Sequence, residues 1–351
     1  MKEWGDDSFY NPLNSVKGLM YKQWYDAIKE GKFLPPIEAS IDPVNDCNLN
    51  CFWCNGKEPK SRKVMMTGEH LVGMIQFVKD WGVKAICVAG GGEPTMHPNL
   101  GEAFLKAKEI DMPIAMITNG LFRDHQQIVD VAKSAEWVGV SVDCAKDTTF
   151  QCIKGADRFH EVLRNISELK DAGCKEVTYK YLIHPMNQYE IYDAVENAVK
   201  VGANRIHIRP ISFLNYQDKV EPYDIEMIEQ QIDDAFKYYG DKIKIMAIRH
   251  KYDEATMHAI LPFKKCKVTP IMPIFQANGD LSVCIDQKWR KDLVICKHDS
   301  FDEVLKTWGS DHHKAVIDKI NVKDCPKCTF MPFNVQYERA IENDEFLWKF
   351  T

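Results

Sequence analysis

The sequence lacks any uninterrupted apolar run near the about 18 residues that a membrane-spanning helix needs. It also lacks a long Lys/Arg block, and its formal net charge is −6 with a pI near 6.0. A nucleic-acid surface is therefore not favoured, and no membrane partner is expected. The opening residues Met1-Lys2-Glu3-Trp4-Gly5-Asp6-Asp7 are acidic and polar, unlike a secretion signal. Without such a signal the twelve cysteines do not read as a disulfide framework. They point to a reducing cytoplasm and to metal ligation. Hydrophobic residues are plentiful, at 45% of 351, enough for one large domain plus a smaller one.

Three of the cysteines share one short loop. Cys47, Cys51 and Cys54 stand in C-N-L-N-C-F-W-C, a C-x3-C-x2-C spacing. Three thiolates this close can hold three irons of a cubic cluster and leave the fourth iron open to a small molecule. Zinc more often takes four ligands in pairs separated by a longer gap, and the nearest histidine, His70, is distant in sequence. A second motif, Gly90-Gly91-Gly92-Glu93-Pro94-Thr95, follows the apolar run Ala85–Ala89. Glycines at a strand end let backbone approach a ligand closely, and a glutamate there can pair with an ammonium group.

Together the two motifs resemble the radical S-adenosylmethionine (radical SAM) superfamily. The aromatic residue before the last cysteine matches Trp53, and the Gly-Gly-Glu stretch matches Gly91, Gly92 and Glu93. The resemblance implies a 4Fe-4S cluster on Cys47, Cys51 and Cys54, with SAM on its open iron. Reductive cleavage of SAM then gives a 5′-deoxyadenosyl radical that abstracts hydrogen from substrate. It also implies an electron donor of flavodoxin or ferredoxin type.

Along the chain, a helix is predicted over Ser15–Glu30, with Leu19, Trp24 and Ile28 on its apolar side. From Ile37 to Gly240 the pattern alternates between strand and helix. Predicted strands are Ile37–Asp42, Lys84–Ala89, Pro113–Thr118, Trp137–Val142, Glu176–Ile183 and Arg205–Ile208. Repeated strand–helix units with short connections imply a parallel sheet with helices outside. The expected fold is α/β: a partial (β/α)6 TIM-like barrel, which the resemblance also implies, with a small C-terminal auxiliary-cluster domain. The expected division is a helical extension over 1–36, the barrel over 37–240 and the auxiliary domain over 241–351.

In such folds ligands gather where the strands end at their C-termini. The cysteine loop, the Gly-Gly-Glu turn and Thr118-Asn119-Gly120 all follow strands. By resemblance, Asn119, Ser141 and Asp143 are candidate SAM contacts; Asn and Asp at such positions also often just satisfy loop backbone. Lys180 and Tyr181 are neighbours on the fifth strand, so only one of them faces inward. Either of them, or His207, is a candidate base. Arg209, whose fork matches a carboxylate or phosphate, is a candidate contact for substrate or for the SAM carboxylate. Cys144 follows the fourth strand and is a candidate hydrogen-atom donor, whereas Cys87, Cys152 and Cys174 read as structural.

A second set of cysteines follows residue 240. Cys266-x12-Gly279-x4-Cys284, then Cys325-x2-Cys328, resembles the auxiliary-cluster extensions called Twitch and SPASM. No cysteine follows Cys328, which matches the shorter Twitch form. The ligands of a second 4Fe-4S cluster are then Cys266, Cys284, Cys325 and Cys328, with Cys296 a competitor and zinc the alternative metal. Such enzymes resemble the dehydrogenases of aminocyclitol and sugar pathways, which take an alcohol to a ketone. The leading expectation is a radical SAM oxidoreductase acting on a small polar molecule. A peptide maturase is the second reading, disfavoured because the leader looks too short for a peptide-recognition domain. A radical epimerase using a cysteine donor and a non-enzymatic electron-transfer protein are the remaining readings.

Overall fold

The computed structural model describes residues 18, 20–54, 56, 63–211, 223–247, 261–325 and 328–342. A short helix α1 (Lys22–Lys29) leads into strand β1 (Glu38–Asp42). The chain continues through α2 (Gly68–Trp81), β2 (Ala85–Val88), α3 (Leu100–Glu109), β3 (Ile114–Thr118), α4 (His125–Ser134) and β4 (Trp137–Ser141). Helices α5 (Asp147–Lys154) and α6 (Phe159–Asp171) precede β5 (Val177–Ile183). Then follow α7 (Ile191–Lys200), β6 (Arg205–Pro210), α8 (Ile225–Tyr239) and β7 (Lys244–Ala247). Local signals set these boundaries. The Thr67 hydroxyl accepts from the His70 backbone N–H at the start of α2, and Gly82, at φ 97°, ends it.

Strands β1 to β7 pair in parallel in chain order. The sheet does not stop there. Strand β8 (Ile274–Gln276) pairs in parallel with the free edge of β1, and β9 (Asp280–Ser282) and β10 (Val294–Lys297) continue it as an antiparallel meander. Two expectations change. The alternation runs one strand past residue 240, and the hairpin around Gly279 is continuous with the barrel sheet. Helix α5 also went unread: its eight residues include Thr148 and Thr149, which are poor helix formers.

Register divides the sheet into two faces. Ile41, Val88, Met116, Val140, Tyr179, Tyr181, Ile206 and Ile208 lie on one face, all essentially buried and in one core with the helices. The inner face carries Ser40, Asp42, Cys87, Ser141, Lys180, His207 and Arg209. A parallel strand covered on both sides reads as a continuous apolar run, so this polar alternation marks a face kept for something other than packing.

A second, smaller core joins the two ends of the described chain. Trp24 and Tyr25 of α1 pack with Val268, Ile271, Phe333 and Tyr337. Of the predicted N-terminal helix, Ser15–Lys17 and Leu19 lie outside the described residues. Among those described, no helix is long and apolar enough to cross a membrane.

Candidate active site

The cysteine loop springs from the end of β1 and is held by backbone on two sides. The Asn50 and Phe52 amides donate to the carbonyls of Lys154 and Ile153 at the end of α5, at 3.1 and 3.2 Å. On the other side, Gly92 N–H donates to Val44 and Glu93 N–H to Asp46, at 2.9 and 2.8 Å. A Cβ on Gly92 would stand 1.9 Å from the Asp46 carbonyl oxygen, so only glycine allows the two loops to meet. None of the three thiols is in a disulfide, and all are half-buried. Two receive backbone donors: Leu49 N–H to Cys47 Sγ at 3.5 Å and Gly56 N–H to Cys54 Sγ at 3.3 Å. Beneath them lies the buried Lys154–Asp143 ion pair. Burial works against the Lys154 ammonium, but Asp143 and Cys51 outweigh it and hold the pKa well above the ordinary lysine value. A fixed cation thus stands beside the second cysteine.

Glu93 plays a different part from the one expected. Its buried carboxylate accepts from Thr118 Oγ1 (2.6 Å), Thr95 N–H (3.1 Å) and Asn119 N–H (2.7 Å). Burial pushes its pKa up, and these donors pull it partly back. It ties the end of β2 to the end of β3 instead of offering a free carboxylate to an ammonium. Asn119 completes the tie: its Nδ2 donates to Asn48 Oδ1 at 2.7 Å and reaches Cys47 Sγ at 4.0 Å.

The second cysteine set converges from three segments. Cys284 follows β9, Cys266 precedes β8, and Cys325 and Cys328 stand before α11 (Met331–Gln336), with α9 (Phe301–Thr307) and α10 (Asp311–Asp318) intervening. Cys266 and Cys284 are pushed up to about 12, first by burial and then by charges that include Cys325. Cys328 is raised by burial and then by Cys266, Asp286 and Cys284. Cys266, Cys284 and Cys328 therefore resist ionisation, through burial first and then through neighbouring thiols and Asp286, a cost that a bound cationic centre would offset. Donors face the sulfurs: Gln287 Nε2 lies 3.0 Å from Cys325, and Asn334 Nδ2 lies 4.0 and 3.9 Å from Cys266 and Cys328. Cys296 lies elsewhere, on β10, raised by burial and by Glu303.

The radical SAM superfamily profile matches residues 41–198, the segment that holds the cysteine loop and the Gly-Gly-Glu turn. That segment matches a radical SAM domain. Relatives named probable GTP 3′,8-cyclase include one from Saccharolobus islandicus, 26% identical over 180 residues, which are 50% of this chain and 58% of that protein. The chain thus spans under two thirds of the length of that relative. Another, from Sulfurisphaera tokodaii, is 20% identical across 76% of this chain and 84% of its own. Among solved structures, SuiB of Streptococcus suis superposes with a TM-score of 0.65 at 16% identity, covering 86% of this chain and 73% of its own. The structure of anSMEcpe with bound AdoMet gives 0.58 at 16% identity, covering 81% and 83%. These likenesses establish a shared fold.

A radical SAM enzyme requires a 4Fe-4S cluster and SAM, and the residues present fit both. Cys47, Cys51 and Cys54 are thiols in one loop, none in a disulfide, and two of them receive N–H donors, as cluster sulfurs do. Cys266, Cys284, Cys325 and Cys328, three of them facing the donors Gln287 and Asn334, have a chemistry that suits an auxiliary cluster, although among the described residues no three ligands lie close enough to grip a single metal ion.

The inner face of this radical SAM domain sorts the remaining candidates. Lys180 faces inward, its stem crossing Gly139, where a Cβ would meet Lys180 Cδ at 2.9 Å. Its ammonium lowers the Cys87 thiol pKa, which burial and then Glu38 raise. Ser141, His207 and Arg209 share that face. Tyr181 does not: it is fully buried on the helix side, and its hydroxyl donates to the Asn187 carbonyl at 2.6 Å. Cys144 is fully buried too, its thiol turned to the Val142 carbonyl. Neither reaches a substrate on the inner face. Asp143, at φ 63°, accepts from Lys154 and from Leu182 N–H (2.8 Å), so its carboxylate shapes the strand end. Trp53 is buried and packs at 5.3 Å from His184. His184 was missed in the sequence. Burial lowers its pKa to about 4, which keeps it neutral against Phe52 and Trp53.

Proposed function

We propose that this radical SAM enzyme oxidises an alcohol carbon of a sugar or aminocyclitol to a ketone. One observation supports the reading: Asp286, two residues after Cys284 and hydrogen-bonded to Thr329 next to Cys328, is near enough to Arg209 on the inner face to raise its pKa. Asp286 raises both Cys284 and Cys328, and the same carboxylate acts on Arg209 of β6. An electron acceptor held there stands beside a substrate held by Arg209. When bound, the first cluster and SAM supply a hydrogen-abstracting radical, and the auxiliary cluster supplies an acceptor for one electron.

The chain's own residues supply binding and proton transfer. Burial lowers the Arg209 pKa, Asp143 and Asp286 raise it again, and its Nε has no hydrogen-bond partner among the described residues. An unpaired buried donor favours a ligand that completes it, so Arg209 orients the substrate. His207, or Lys180 in its neutral amine form, takes the hydroxyl proton once hydrogen has left the neighbouring carbon. Asn119 and Ser141 are assigned to SAM. The division at 1–36, 37–240 and 241–351, a flavodoxin- or ferredoxin-type donor and a cytoplasmic location belong to the same proposal.

A peptide substrate is the second reading. A structure described as SuiB bound to precursor peptide SuiA superposes with a TM-score of 0.66 over 91% of this chain, at 16% identity. One assay separates the readings. Reconstituted enzyme, SAM and dithionite are incubated with an aminocyclitol panel, with GTP and with a peptide library. We expect 5′-deoxyadenosine and a carbonyl product with the aminocyclitols. Stimulation by peptides or GTP alone contradicts the alcohol oxidation.

A further inference from the structure

One short loop touches both cysteine sites. At one end, Cys284 belongs to the auxiliary set, and Gln287 Nε2 lies 3.0 Å from Cys325 Sγ. Asp286 is anchored beside the last cysteine, accepting from Thr329 N–H and Oγ1 at 2.6 and 2.9 Å. At the other end, Lys288 Nζ reaches into the radical SAM domain. It pairs with Asp42 Oδ2 at 2.5 Å and donates to the Gly90 carbonyl at 3.2 Å.

These two contacts flank the first cysteine site. Asp42 closes β1, five residues before Cys47. Gly90 opens the turn whose Gly92 and Glu93 amides hold Val44 and Asp46. The pair is dry, with side chains 11% and 2% exposed, and Asp42 Oδ1 has no hydrogen-bond partner among the described residues. Removing one member of such a pair leaves an uncompensated buried charge. The Lys288 ammonium therefore fixes the spacing between the two strand ends that carry the cysteine loop and its glycine support.

We infer that Lys288 is a positioning residue through which the auxiliary segment holds the Gly90–Glu93 turn in place, and thereby sets SAM affinity at the first cluster. The inference rests on the SAM reading of that site. The coupling is mutual: an assembled auxiliary site restrains the loop, and the restrained loop pre-organises the turn. Lys288 acts through Asp42 and Gly90.

The test uses the full chain with both clusters reconstituted. SAM binding is read from the change it causes in the reduced cluster's electron paramagnetic resonance (EPR) spectrum. Lys288→Met should weaken SAM binding about tenfold, within the usual range of site coupling, with an unchanged iron count. Lys288→Arg, which keeps a cation at Asp42, should restore part of that loss. The double variant Asp42→Asn/Lys288→Met removes both buried charges. It should regain stability without regaining SAM affinity, because the Gly90 contact stays broken. Cys325→Ser, which disables the auxiliary site, should weaken SAM binding similarly. Wild-type affinity in Lys288→Met overturns the inference, as does full recovery in the double variant. An independent arm uses metal-free protein, where the amides of Gly92 and Glu93 should exchange hydrogen faster in Lys288→Met than in wild type. Equal exchange also overturns it. If wild type shows no response to SAM at all, the SAM reading fails, and the exchange arm still decides the role of Lys288.

Discussion

The two cysteine sites solve different problems. The first places three thiols in one loop, hung between a helix end and a glycine turn, with Lys154 beneath. The second draws four thiols from three segments into a set that resists ionisation until a cation is present. Three ligands in one loop leave room for an exchangeable partner, whereas four from distant segments staple the fold and close the coordination. One site is thus encoded locally and the other assembled from distant segments.

The comparison breaks most sharply at the first site. Replacing Cys47, Cys51 and Cys54 by Ala should abolish 5′-deoxyadenosine formation, measured by chromatography of the SAM reaction; retained formation removes them as ligands. Cys266→Ala should behave differently, suppressing ketone formation while some SAM cleavage survives. Anaerobically reconstituted wild type should bind roughly eight irons per chain, as two four-iron clusters require; about four irons with zinc would make the auxiliary site a zinc centre.

Two smaller effects sharpen the contrast through stability. Lys154→Met strands Asp143 as a buried charge and should cost about 3–5 kcal/mol in urea unfolding of the metal-free protein; a negligible change would show that the pair does not support the loop. His184 titrates near 4 folded, against 6.5 for the ordinary imidazole. The unfolded chain therefore binds the proton more readily, and stability falls as pH drops from about 6.5 towards 4, by up to about 3 kcal/mol. His184→Asn should flatten that limb of the pH–stability curve, and an unchanged slope removes His184 as its source.

The same contrast explains what was legible in the sequence. The first site is local, so its spacing, its glycine turn and the strand before it were readable from adjacent residues. Strands β3 and β4 were also readable to within a residue at each end, because each is a short apolar run. The inner and outer faces of β5 were not: Thr178, Lys180 and Leu182 alternate with Tyr179, Tyr181 and Ile183, and both sets are mixed. Only packing against the helices shows that the tyrosines turn outward. The role of Glu93 was misjudged for a related reason. Its three donors come from Thr95, Thr118 and Asn119, two of them on another strand end. Lys288 lies outside any motif and meets Asp42 across 246 residues of chain, which no local pattern encodes.

The most direct measurement is the EPR spectrum of the oxygen-free, reduced protein with Cys266, Cys284, Cys325 and Cys328 replaced by Ala, recorded before and after SAM is added. The account predicts one remaining four-iron signal whose g-values shift on addition, because SAM ligates the iron that Cys47, Cys51 and Cys54 leave open. A signal that SAM leaves unchanged contradicts it.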